Sequence, residues 1–156
     1  MGIDVQKDWV AVDLWGMGRG QELWHIFYSE ITMNPAVEKE WEVITNLLLA
    51  EWTHEQGTHL RVRRCGADLG GPYTNEVYNF VRNSRNMGLD VIATHGSSRY
   101  NQPIVGKPKL IDYDFNGQLY PAGAMTAALG TDTAKDTLYE HPKHCLLYTS
   151  PSPRDS

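Results

Sequence analysis

Apolar and polar positions alternate from the start of the chain. Gly2 to Val5 reads as a short strand, followed by a polar turn at Gln6-Lys7-Asp8. Trp9 to Trp15 reads as a second strand with Val10, Val12 and Leu14 on one face. Gly16, Gly18 and Gly20 supply permissive backbone for a hairpin turn. A third strand runs from about Glu22 to Ile31, with Trp24, Ile26 and Tyr28 in alternation. Three consecutive antiparallel strands are the economical arrangement.

The period then changes from two to about 3.6. Asn34 is placed to cap a helix with Pro35 at its first position and Glu38 in its first turn. Val37, Trp41, Ile44 and Leu48 form one stripe on that helix, which reaches about Trp52. Leu60 to Asp68 is expected to be a strand ending at the turn Gly70-Gly71-Pro72. A second helix starts near Thr74, buries Val77 and Val81, and stops at Gly88. Leu89 to Thr94 reads as a buried strand, and Gly96 to Ala124, rich in Gly, Pro, Asn and Asp, as a long loop. A last helix opens at Thr131 and runs to about Glu140. The order β-β-β-α-β-α-β-α predicts an α/β fold with a mixed sheet: a three-stranded antiparallel meander, then helix-strand crossovers. There is no internal repeat, no heptad array and no Walker-type phosphate loop.

The chain has 156 residues, enough for one domain with its own core. A mean hydropathy of -0.45 and apolar runs broken by charge argue against a membrane span. Two cysteines, Cys65 and Cys145, exclude a disulfide scaffold. A net charge of -5 argues against a passive, charge-driven nucleic-acid binder. It leaves open an enzyme whose acids hold cations against a phosphate backbone. The stretch from Cys145 to Asp155 has no caps and no period, and it resembles a translated sequencing-library adapter. A Ser/Pro-rich disordered tail is the second reading. The expected domain is therefore 1–144, with 145–156 as a non-native tail, and the strand that opens the chain suggests a fragment cut at its front.

The acids carry the candidate chemistry. Asp4 interrupts an apolar strand, where a carboxylate needs a partner or a metal. Asp68 lies at the carboxyl end of a strand, where open α/β sheets bind ligands. Asp132 and Asp136 share a face at the start of the last helix. If the first and fourth strands are neighbours and the last helix packs across that edge, Asp4, Asp68 and Asp132 converge. Three such carboxylates need cations, and hard oxygen ligands select Mg²⁺ or Mn²⁺. Two ions about 4 Å apart would activate a water and stabilise the leaving oxygen of a phosphodiester. Each acid also has an ordinary reading: Asp4 paired with Arg61 or Arg63, Asp68 as a turn residue, Asp132 favoured by the helix dipole. Asp8 and Asp13 read as a turn and a solvated strand face.

At these residues the sequence resembles the nuclease domain of the large terminase subunit of tailed bacteriophages, in its lambda-like branch. The matching stretches are Gly2-Ile3-Asp4-Val5-Gln6, Asp68-Leu69-Gly70-Gly71 with Tyr78, His95-Gly96-Ser97-Ser98 leading to Pro103-Ile104, and Gly130-Thr131-Asp132-Thr133-Ala134-Lys135. The resemblance implies a ribonuclease-H-like fold and a metal-dependent endonuclease that cuts concatemeric viral DNA during packaging, using two Mg²⁺ or Mn²⁺ ions. Carried over, it implies Asp4, Asp68 and Asp132 as catalytic metal ligands, with Asp136 beside them. It further implies double-stranded DNA, a small terminase subunit and a portal or procapsid as partners, no membrane, and action in the host cytoplasm. The family's ATP-binding motor domain is not in this sequence. His95 stands where the family usually has a lysine, and Leu69 where it has a small hydroxyl residue.

DNA-contact candidates are His95, Arg99, Lys107, Lys109 and Lys135, with a further basic group at Arg61, Arg63 and Arg64. The tryptophans Trp9, Trp15, Trp24 and Trp41 are expected in the core. Two rival functions remain: another ribonuclease-H-like nuclease, such as a junction resolvase or transposase core, and a non-catalytic packaging module docking to a portal.

Overall fold

The computed structural model describes residues 1–140; the adapter-like stretch lies outside the described residues. The elements in chain order are β1 (Gly2–Val5), β2 (Trp9–Met17), β3 (Leu23–Thr32), α1 (Glu42–Leu49), β4 (Glu51–Thr53), β5 (His59–Arg61), β6 (Cys65–Asp68), α2 (Thr74–Asn86), β7 (Val91–Ser97), β8 (Lys109–Phe115), β9 (Gln118–Gly130) and α3 (Thr131–Glu140). Seven strands form one mixed sheet in the order β3-β2-β1-β6-β7-β9-β8. β1, β2 and β3 are the expected antiparallel meander, and β1, β6, β7 and β9 run parallel to one another. The carboxyl ends of those four strands therefore lie along one edge of the sheet. No helix among the described residues is long and apolar enough to cross a membrane.

Strand alternation divides the sheet into two faces. Ile3, Val5, Val10, Val12, Cys65, Ala67, Val91 and Ala93 are buried on one face, where Ile44, Leu48, Val77, Phe80 and Val81 of the helices join them. Trp41 stacks on Phe80 with centroids 4.7 Å apart and donates from Nε1 to the Pro35 carbonyl. The intervening positions, Asp4, Ala11, Asp13, Gly66, Asp68 and Thr94, fall on the opposite face.

Four expectations need correction. Asn34 caps a tight turn rather than an α-helix: its Oδ1 accepts from Ala36 N–H, and Val37 N–H bonds back to the Asn34 carbonyl. A 3-10 turn over Glu38–Trp41 follows, and regular helix begins only at Glu42. The single strand drawn from Leu60 to Asp68 is two strands, because β5 pairs with β4 in a separate hairpin while β6 enters the main sheet. The presumed loop from Gly96 to Ala124 contains β8 and most of β9, which pair antiparallel across Asn116-Gly117. Both turn residues have positive φ, +50° and +77°, the backbone that an Asn-Gly pair adopts most readily in a two-residue hairpin. Finally, only Trp41 of the four tryptophans is core; Trp9 is half-buried, and Trp15 and Trp24 are about half exposed on β2 and β3.

Candidate active site

Asp4 reaches the open face because its neighbours Ile3 and Val5 are drawn into the core. β1 and β6 pair in parallel with Gly2 opposite Gly66 and Ile3 opposite Ala67. Continuing that parallel register by one residue sets Asp4 level with Asp68 on the adjacent strand, their backbones about 5 Å apart at ordinary strand spacing. Both carboxylates line one cavity of about 780 Å³, together with Asp13, Tyr28, Arg64 and Thr94.

Local contacts hold the pair. Gln6 Nε2 donates to Asp4 Oδ2 over 2.9 Å, and Gly70 N–H donates to Asp68 Oδ2 over 3.1 Å. The turn after β6 also closes on the end of β1. A Cβ at Gly71 would stand 2.7 Å from the Val5 carbonyl oxygen, and one at Gly70 would stand 2.6 Å from Asp68 Oδ2. At Gly71 the close approach is to backbone, so glycine is required there by contact rather than by an unusual φ, whereas at Gly70 the Asp68 side chain would have to move.

The cavity continues along β2 and β3. Asp13 accepts from Trp15 Nε1 at Oδ2 and lies 2.9 Å from His25 Nε2 at Oδ1. Trp15 and His25 pack with centroids 4.8 Å apart. Tyr28 donates to Glu30, whose carboxylate raises the phenol's pKa above its ordinary value. Reading Asp13 as a merely solvated face misses these bonds. The signal available in sequence was its parity with Ala11 and Trp9, opposite to the buried Val10 and Val12.

The structure brings Asp4 and Asp68 together; it does not bring Asp132 or Asp136 to them. α3 continues directly from β9 and is anchored by Thr131 Oγ1 to the Ser97 carbonyl and by Thr133 Oγ1 to the Gln102 carbonyl. Asp132, Lys135 and Asp136 are exposed on that helix, outside the cavity lining. Among the described residues no three His, Cys, Asp or Glu side chains lie close enough to hold one metal ion. The donor set of Asp4 and Asp68 is nevertheless suited to a hard divalent cation such as Mg²⁺, which commonly takes one or two carboxylates and completes its shell with water and phosphate oxygens.

The basic candidates divide. Val105 and Pro108 line the cavity, so the exposed Lys107 between them stands at its rim. The segment carrying it is strapped to β9 by Gly106 N–H to the Ala128 carbonyl and Gly130 N–H to the Pro103 and Ile104 carbonyls. Arg99 is exposed at the start of that segment, and Lys109 begins β8. His95 alternates to the face opposite Thr94 and does not line the cavity. Arg61, one of the two arginines weighed as a partner for Asp4, is ion-paired with Glu51 instead, and Arg64 Nε pairs with Asp90 over 2.8 Å.

Fold and site together define a mixed-sheet α/β domain with an acid pair lining a cavity where parallel strands end. Comparison with known families identifies which one: residues 1–144 match the endonuclease domain of the terminase large subunit gpA, and the chain belongs to that family. It is 27% identical over 142 residues to the terminase large subunit of Enterobacteria phage P21, covering 91% of this chain and 21% of the relative. It is 28% identical over 138 residues to the terminase large subunit of Escherichia phage lambda, covering 88% of this chain and 20% of the relative. The chain thus spans about a fifth of the length of these relatives. No solved structure matches it.

Proposed function

We propose that this domain is a divalent-cation-dependent endodeoxyribonuclease with a ribonuclease-H-like core, acting on concatemeric viral DNA during genome packaging. The observation that carries the reading is the level placement of Asp4 and Asp68 on neighbouring parallel strands, facing one cavity. The strand order β3-β2-β1-β6-β7 supports the fold assignment: an antiparallel meander whose first strand pairs in parallel with β6, which pairs in parallel with β7 in turn. β9 and β8 extend that sheet.

Asp4 and Asp68 would hold the cation, Mg²⁺ or Mn²⁺. When bound, such an ion supplies charge stabilisation at the phosphate and lowers the pKa of a coordinated water. Gln6 and the Gly70 N–H fix one oxygen of each carboxylate and leave the other for a ligand. Lys107 at the rim and Arg99 on the strapped segment would contact backbone phosphates and position the duplex without reading its sequence. Lys109 and Lys135 would extend that contact. The residues fit one cation; a second, with Asp132 or Asp136 among its ligands, would require α3 to approach the pair. By family membership the proposed partners are a small terminase subunit and the portal of the procapsid, in the host cytoplasm.

The test is plasmid nicking by the 156-residue chain with Mg²⁺, Mn²⁺ or EDTA, beside Asp4→Asn and Asp68→Asn. Nicking that needs the metal and disappears in both variants is expected. Folded variants that retain nicking would remove these residues from the site, and a folded parent that neither nicks nor binds Mn²⁺ would favour an interaction module.

A further inference from the structure

On the other side of the sheet from the acid pair, a groove of about 520 Å³ runs between the 3-10 turn and α1 on one side and α2 on the other. Its apolar wall comprises Trp41, Phe80 and Phe115, and its charged lining is Glu38, Glu42 and Glu76 against the single cation Lys39. One glutamate is held in place from beneath. Asn79 Nδ2 and Asn83 Nδ2 donate to Glu38 Oε1 over 3.0 and 3.3 Å, and the buried Tyr113 hydroxyl donates to Asn79 Oδ1 over 3.4 Å. Asn79 is only 5% exposed, so the Glu38 carboxylate is braced by the core rather than swinging freely in solvent.

We propose that this groove docks a lysine- or arginine-bearing segment of another protein. Long basic side chains carry apolar stems and cationic heads. The aromatic wall suits the stems, and the three carboxylates suit the heads. The same charge repels a phosphate backbone, so DNA is not the occupant. The carboxylates are also not gathered as metal ligands, since no metal-holding cluster occurs among the described residues. This assignment is independent of the acid pair and stands whether or not the domain cuts DNA.

The probe is an acetylated decapeptide of alternating lysine and alanine, titrated into the isotope-labelled chain while backbone amide shifts are followed. Expected are saturable shifts confined to the segments around 35–45 and 76–83, weakened by added salt. Glu42→Gln combined with Glu76→Gln should weaken binding about fivefold, the size set by losing two exposed ion pairs. Lys39→Glu should tighten it by a similar factor, a gain that misfolding would not produce. Shifts absent from the groove, or affinities unmoved by these substitutions, would overturn the proposal. Equal binding by free spermidine would overturn it as well, because a protein segment would then have no advantage over a simple polyamine.

Discussion

Gly71→Ala is a substitution with a calculable consequence for the acid pair. The added Cβ would stand 2.7 Å from the Val5 carbonyl oxygen, roughly 0.6 Å inside ordinary contact. Both contacting groups belong to the backbone, so no side-chain rotation relieves the clash; the turn after β6 must retreat from the end of β1. Overpacking of this kind costs about 1–3 kcal/mol. At about 3 °C per kcal/mol for a domain of this size, Tm should fall by roughly 3–9 °C. The same retreat shifts Asp68 relative to Asp4. Misplacement by about 1 Å can reduce a reaction about 100-fold, so half that displacement predicts roughly a tenfold loss of nicking. Gly57→Ala is the control: its φ of +81° makes alanine strained, but nothing lies within 4 Å of the new Cβ. It sits between β4 and β5, outside the cavity lining, and should cost about 1 kcal/mol with nicking intact. Plasmid nicking and thermal unfolding of the three proteins decide the matter. A Gly71→Ala chain with unchanged Tm would refute the close approach. One with lowered Tm but full nicking would refute the idea that this turn sets the spacing of the two acids.

Trp41→Ala removes a buried ring, its stack on Phe80 and its bond to the Pro35 carbonyl, and should cost about 3–5 kcal/mol in denaturant titration. Thr133→Val removes the 2.7 Å bond to the Gln102 carbonyl and should cost about 1 kcal/mol, with faster hydrogen exchange at the start of α3. Burial pushes the Cys65 thiol up to about 12, partly opposed by the N-terminal charge, so a Cys145→Ser chain should resist alkylation near pH 8 until denatured. Because the folded thiol binds its proton more tightly than the unfolded one, this group's contribution to stability is complete below about pH 9. It should decline as pH rises from there towards 12, as pH-dependent unfolding would register.

Much of this arrangement is legible in the sequence because it is set by local rules. The β1–β3 meander follows from period-two alternation, and α3 begins at Thr131, where the expected first-turn aspartate is found. What escapes is decided by partners far along the chain. Whether His59 to Arg61 joins the main sheet depends on β4, which offers it Glu51 opposite Arg61. The stripe Val37, Trp41, Ile44 and Leu48 correctly marks a buried face at its last three positions, yet Val37 is 41% exposed because the Asn34 turn redirects the chain. The β8–β9 hairpin was readable in principle from Asn116-Gly117, but the density of Gly, Pro and Asn around it masks the alternation of Ile111, Tyr113 and Phe115. At the site, the level placement of Asp4 and Asp68 follows from the adjacency of their strands. Where α3 carries Asp132 depends instead on the Ser97 and Gln102 carbonyls, which no spacing rule anticipates.

The parallel pairing of β1 with β6 places Gly2 opposite Gly66, and the terminal amine donates to the Arg64 carbonyl across a separation of 63 residues. Contacts so distant in sequence form late, since a long loop must close before any strand bond rewards it. β1 is made before β6 and can pair with β2, but it cannot find its parallel partner until β6 has also emerged. Asp4 and Asp68 therefore become a pair only when the sheet closes, and a half-made or misfolded chain carries two separate aspartates. On the proposed function, a cutting centre of this kind is switched on by folding itself, which protects nucleic acid from the nascent protein without any inhibitor.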